Sequence, residues 1–205
     1  MIMHIILKMK IMLFLSLIFI SFCMMQSARA AYTPAQLALK LTVGMSTCDV
    51  GLATPAGIYF PTLSKLDLSE EAGHVSAAGN ALITLNLTNC PTTSKKTGVM
   101  PAIKLQGEVT ATSNDRIFRD YSSTAGGNIG FGVRYVKPGT LEPDTSLGKQ
   151  GGYLTSGDYI DLADVGNAPV NQDISFIVDV IHSPVGDNIS SGTLKATLHF
   201  MLAYH

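Results

Sequence analysis

The sequence predicts an all-β fold, a sandwich of immunoglobulin-like topology. Three observations carry that prediction. Several runs alternate apolar and polar residues with a period of two, as strands with one buried face do. Clusters of Gly, Asn, Ser, Thr and Pro such as "TSNDR", "SSTAGGN" and "SPVGDN" separate those runs and supply turns. No segment holds a helical apolar period for three turns, so nothing competes with strands for the core.

In chain order, residues 1–30 read as an export signal and not as fold. His4, Lys8 and Lys10 give a basic start, residues 11–25 are almost wholly apolar, and Ala28-Arg29-Ala30 has the small-x-small form of a secretory cleavage site. About fifteen apolar residues fall short of the ~20 that span a bilayer, so cleavage after Ala30 is expected and Cys23 leaves with the peptide. A strand follows, in which Leu37, Leu39, Leu41, Val43 and Met45 alternate with Ala38, Lys40, Thr42 and Gly44. The residues before it are small or polar and include Pro34, so the chain enters this strand from an untethered end.

Cys48 and Cys90 are the two cysteines left after cleavage. In an exported protein the simplest reading is one disulfide, with two free buried thiols as the alternative. On the chain-entropy model, closing a loop of this size stabilises by roughly 4 kcal/mol. Ala81, Ile83, Leu85 and Leu87 form the apolar phase of a strand running up to Cys90. Ile129, Phe131, Val133 and Tyr135 form another, with "KPGT" as the turn after it, and Ile174, Phe176, Val178 and Val180 a third. Shorter candidates are 57–60, 102–109 and 159–162.

The final run, "SGTLKATLHFMLAYH", places Leu194, Ala196, Leu198, Phe200, Leu202 and Tyr204 on one face. Its polar phase carries only Lys195 and His199 as charge, and the run has no proline, so it lacks the devices that blunt an edge strand. A partner from outside the chain is therefore expected beside it. An apolar strand at the start and another at the end can be joined across molecules by strand addition, where backbone hydrogen bonds give affinity and alternate side chains fill pockets.

Composition excludes other functions. Lys8, Lys10 and Arg29 fall in the first thirty residues, leaving 11 basic against 15 acidic residues in the processed chain, a net charge of −4. No basic run argues for nucleic acid. His74, His182, His199 and His205 show no metal-ligand spacing to one another or to the cysteines. "GGNIGFG" lies in a strand pattern without the lysine of a phosphate loop, so its glycines are read as allowing close backbone packing or a bulge. Asp158, Asp161 and Asp164 lack the fixed glycine and terminal glutamate of a calcium loop and are read as a solvated surface loop. No catalytic motif is present, and neither an enzyme nor a cofactor is expected.

With Gly192 fourteenth from the end, the alternating "LKATLHFMLAY", Tyr204 penultimate, the Cys48 and Cys90 pair, and "NIGFGVRYVKPGT" at mid-chain, the sequence resembles the fimbrial subunits of the bacterial chaperone–usher pathway. The resemblance implies an incomplete immunoglobulin-like sandwich, completed by a donor strand from a neighbouring subunit or a chaperone. It divides the chain into a signal peptide (1–30), a donor extension (31–43) and a pilin domain (44–205). Leu37, Leu39, Leu41 and Val43 would be the donor residues. Gly192, Leu194, Ala196, Leu198, Phe200, Leu202, Tyr204 and His205 would form the acceptor groove and the chaperone contact. The implied partners are other fimbrial subunits, a periplasmic chaperone and an outer-membrane usher, and the implied location is a fimbria on the bacterial surface, reached through the periplasm. The alternative is a single-domain adhesin, or a minor or adaptor pilin, that binds a host-surface ligand.

Overall fold

The period-two runs become two stacked sheets in the computed structural model, which describes residues 35–42, 48–64, 79–90, 98–110, 116–127, 129–148, 150–182 and 189–205. Among these residues the strands are β1 (Ala35–Thr42), β2 (Asp49–Leu52), β3 (Gly57–Phe60), β4 (Ala81–Thr88), β5 (Pro101–Gly107), β6 (Ile129–Tyr135), β7 (Tyr159–Asp161), β8 (Gln172–His182) and β9 (Lys195–Tyr204). One sheet has the order β3-β1-β9-β5-β7 and the other β2-β4-β8-β6. The fold is an all-β sandwich of a five-stranded and a four-stranded sheet, as the alternating runs predict.

The inner faces meet through the predicted apolar phases. Ile83, Leu85 and Leu87 of β4 and Phe176 and Val178 of β8 are buried against Ile103 and Leu105 of β5 and Leu198 and Phe200 of β9. Aromatic pairs bridge the sheets: Phe176 and Phe200 lie 4.9 Å apart between ring centroids, and Phe60 and Phe131 5.2 Å apart. Such tilted pairs add about 0.5–1.5 kcal/mol each beyond the area they bury.

Cys48 and Cys90 are joined, with their Cα atoms 4.1 Å apart. The bond ties the start of β2 to the end of β4, which pair antiparallel from Asp49 with Thr88 to Leu52 with Leu85. β2 was not expected from the sequence. It is four residues long and buries one side chain fully, Val50, too little for a period to register.

β6 departs from simple alternation: Ile129 to Val133 are all buried. Its glycines explain this. A Cβ on Gly130 would stand 2.4 Å from Cγ2 of Ile117, and one on Gly132 would stand 2.5 Å from Cε1 of Tyr153. Their lack of a side chain lets Ile117 and Tyr153 lie flat on the outer face, where with Ile181 they form a second, small apolar cluster. The glycines thus serve close packing, as expected.

Beneath that layer Asp179 of β8 is fully buried and pairs with Arg134 of β6, Nε and Nη2 lying 2.8 and 2.7 Å from Oδ2. The guanidinium sits 5.1 Å from the Tyr153 ring centre. Burial raises the Asp179 carboxyl above the usual range, with Arg134 pulling it back. Burial, and then the neighbouring Asp179 charge, push the Tyr153 phenol up.

Candidate strand-exchange interface

β9 is the centre of the five-stranded sheet, and its two flanks are built differently. On one side β5 runs antiparallel to it, from Pro101 opposite Tyr204 to Gly107 opposite Leu198. Gly107 has to be small there: a Cβ would lie 2.8 Å from Cδ1 of Phe118 and 3.0 Å from the Thr197 carbonyl oxygen.

Where β5 ends, a loop takes over the pairing with its side chains. The Asp120 amide donates to the Lys195 carbonyl at 2.8 Å, and the Asp120 carboxylate accepts from the Thr197 amide at 2.7 Å and its hydroxyl at 2.9 Å. Ser123 Oγ accepts from the Lys195 amide and donates to its carbonyl, both at 3.0 Å. Arg119 holds this loop by donating to the carbonyls of Ala125, Gly127 and Ile129. Sequence reading missed these residues, because the signal is a set of local polar side chains with no period.

Gly192 sits before β9 against the same loop. A Cβ there would fall 2.3 Å from the Ala125 nitrogen, so the close backbone approach requires glycine. The amides of Thr124 and Ala125 both donate to the Thr193 carbonyl, at 2.9 and 3.0 Å.

On the other flank lies β1, the expected donor, from the same chain. It runs parallel to β9, with Gln36 opposite Lys195, Leu37 opposite Ala196, Leu39 opposite Leu198, Leu41 opposite Phe200 and Thr42 opposite Met201. Its far side pairs antiparallel with β3, from Ala35 with Phe60 to Ala38 with Gly57. β1 therefore fills a slot between β3 and β9. Leu37 is fully buried and Leu39 nearly so, at 8% exposure, while Ala38 between them is exposed. Burying each of these leucines stabilises by about 1.5–3 kcal/mol, which adds to the backbone pairing on both edges. Val43, the fourth expected donor residue, lies outside the described residues.

The physical reason for this placement is that an open slot would leave two rows of backbone N–H and C=O groups unpaired beside an apolar floor. Of the expected groove residues, Leu194, Ala196, Leu198 and Phe200 are buried, and Leu202 and Tyr204 are half-buried. His205 lies beyond the groove. Its ring stacks on Tyr159 at 4.4 Å, its Nε2 is 2.7 Å from Oδ1 of Asp161, and its backbone pairs with Met100. The outer face of β9 contributes Thr197 and His199 to a shallow cleft of about 400 Å³ with Glu108, Asp120, Tyr121 and Ser122. Asp158, one of the loop carboxylates, accepts from the Thr155 amide and hydroxyl at 2.7 and 2.9 Å.

No protein-family model matches the chain, and a search of curated proteins finds no match. Among solved structures the chain is similar to the P pilus rod subunit PapA, at 22% identity and a TM-score of 0.48, over 78% of this chain and 100% of that one. It is also similar to an antigen and type I fimbria protein of Burkholderia pseudomallei, at 12% identity and a TM-score of 0.39, over 81% of this chain and 90% of that one.

Proposed function

We propose that the chain is a structural subunit of a bacterial surface fimbria. It polymerises by donor-strand exchange, after export with a periplasmic chaperone through an outer-membrane usher, and supports cell adhesion. The observation that carries this reading is the slot between β3 and β9, filled by a strand from the N-terminal end whose apolar phase is Leu37 and Leu39. A sandwich with one strand position filled by a segment of this kind can take the same segment from a neighbour, by pairing backbone with backbone and leucine with pocket. The sequence resemblance to fimbrial subunits supplies the biological setting.

The test is Leu39→Asp, compared with Lys40→Asp. The first puts an unpartnered carboxylate at a buried position, a cost of several kcal/mol, so a chain carrying it should fail as a donor. Lys40 falls in the opposite phase of the strand, and its replacement should matter much less. The readout is the ladder of subunit–subunit complexes that survives detergent without boiling. Equal ladders from Leu39→Asp and the parent would overturn the reading, and equal failure of Lys40→Asp would show that the alternating face is not what is exchanged.

A further inference from the structure

From the way the start of β9 is covered on its β5 flank, we infer that Asp120, Ser123 and Thr124 decide which edge of β9 an incoming strand can join. Their side chains occupy the backbone amides on that flank, so strand addition is confined to the flank that β1 holds. This rests on the strand-exchange reading above and adds an element of selectivity to it.

Two observations carry the inference. The first is that β5 leaves β9 before β9 reaches its own beginning. Their last register pair is Gly107 with Leu198; beyond it Val109 bridges to Phe118, and Phe118 bridges to Phe131 of β6 in the other sheet. The backbone groups of a strand point to its two edges in alternation, and the Leu194 carbonyl faces β1, where it accepts from the Gln36 amide at 2.8 Å. Thr193, Lys195 and Thr197 therefore turn their amides to the other flank, where β5 has left. Three amides in a row, beside the buried side chains of Leu194 and Ala196, are the kind of edge that an alternating apolar strand joins.

The second observation is that each of these amides is taken by a side-chain oxygen. Thr193 donates to Thr124 Oγ1 at 2.8 Å, Lys195 to Ser123 Oγ at 3.0 Å and Thr197 to Asp120 Oδ1 at 2.7 Å. The carbonyls are engaged too, Lys195 by the Asp120 amide and Thr193 by the amides of Thr124 and Ala125. The acceptors run backward along the loop as the amides run forward along β9, which is the order an antiparallel strand would give. Their carrier is a turn, closed by the Ser123 amide donating to the Asp120 carbonyl at 3.0 Å, and Arg119 braces it through the carbonyls of Gly127 and Ile129. An incoming strand would have to displace all three oxygens to pair here. On the β1 flank it exchanges one strand for another of the same kind.

The test uses the protein recovered from an exporting bacterial host and, as the incoming strand, a peptide of residues 31–43 with a benzophenone in place of Ala38, an exposed position of β1. Light fixes the peptide where it has bound, and mass spectrometry maps the place. Leu39→Asp is the positive control: its own β1 is weakened, and its label should map to residues 57–60 beside the slot. The parent should carry only background label at residues 119–126. Asp120→Ala, Ser123→Ala and Thr124→Ala combined should raise the label at 119–126 at least tenfold over the parent. Asp120→Ala alone, the second variant in case the triple one does not fold, should raise it at least threefold. Asp120→Asn with Thr124→Ser keeps an acceptor at both places and should label as the parent does. Arg134→Met, which weakens the other sheet, should also label as the parent does. Label at 119–126 as strong in the parent as in the alanine variants, or no rise there in any folded alanine variant, overturns the guard, and label at 57–60 in Leu39→Asp then leaves strand exchange standing. An equal rise in Arg134→Met also overturns it, because the label would follow instability. No label at either place in any folded variant overturns both readings.

Discussion

The two flanks of β9 present the same strand with two kinds of neighbour. β5 meets it antiparallel, is itself backed by β7, and is continued by the Asp120 and Ser123 side chains where the strand runs out. β1 meets it parallel, comes from the far end of the sequence, and is backed by β3 for four residues. The inward residues on the two sides are equally apolar: Ile103 and Leu105 on one, Leu37 and Leu39 on the other. Burial alone therefore does not tell a permanent neighbour from an exchangeable one. What separates them is place in the chain, since β5 lies between other strands in sequence while β1 precedes every other described strand.

The largest effect expected is a contrast between Leu105→Asp and Leu37→Asp. Both put a carboxylate at a fully buried position, where an unpaired charge costs several kcal/mol. Leu105→Asp should abolish folding, and the 31–43 peptide should not restore it. Leu37→Asp should unseat β1 only, so that adding the peptide in trans restores a cooperative melt. Rescue of both variants, or of neither, would erase the distinction between the flanks.

Next in size is a control far from either flank. Arg134→Met strands the buried Asp179 charge in the other sheet and should cost about 3–5 kcal/mol at pH 7. Because the native Asp179 carboxyl is raised, the folded state takes up its proton at higher pH than the unfolded chain does. Its contribution is therefore most favourable at low pH and is lost as pH rises through the raised native value. Removing Arg134 takes away a cause that lowers it, so the stability deficit should shrink as pH falls towards the usual carboxylate range. Urea midpoints at pH 7 and pH 4.5 check this, and Asp179→Asn should cost less than Arg134→Met at pH 7. The β1 peptide should alter neither variant's deficit.

The smallest effect expected is from Asp120→Ala, which removes the acceptor for the amide and hydroxyl of Thr197. A loss of about 1–3 kcal/mol in the chemical melt is predicted, with peptide uptake on the opposite flank unchanged within a few fold. A large change in uptake would mean that the flanks communicate through β9.

Most of this architecture was legible because its inner faces obey a period of two. β4, β8, β9 and the alternating phase of β1 could be read directly, as could the pairing of Cys48 with Cys90. Three features were not legible, each for a physical reason. β2 is too short to show a period. The outer layer over β6 depends on Gly130 and Gly132 being absent as side chains, so the phase that looked outward-facing is in fact covered. The parallel seating of β1 in its own sheet depends on which partner is nearest, and alternation fixes which side chains face inward without fixing direction or ownership. The groove residues from Leu194 to Phe200 followed the pattern into the core, while Leu202 and Tyr204 are less covered, in the stretch of β9 beyond Met201, where the described pairing with β1 ends.

The pairing of Gln36 with Lys195 also sets an order of events in time. Residues 37–194 lie between those two positions, so β1 can take this place only after the much later β9 has been made. Contacts of such long sequence separation form late and slowly, since the loop they close costs entropy before it returns any binding. Until β1 arrives, β9 paired with β5 presents its other edge unpaired. Any extended strand present in that interval meets an unoccupied template, and which strand arrives first is decided by kinetics before stability has a say.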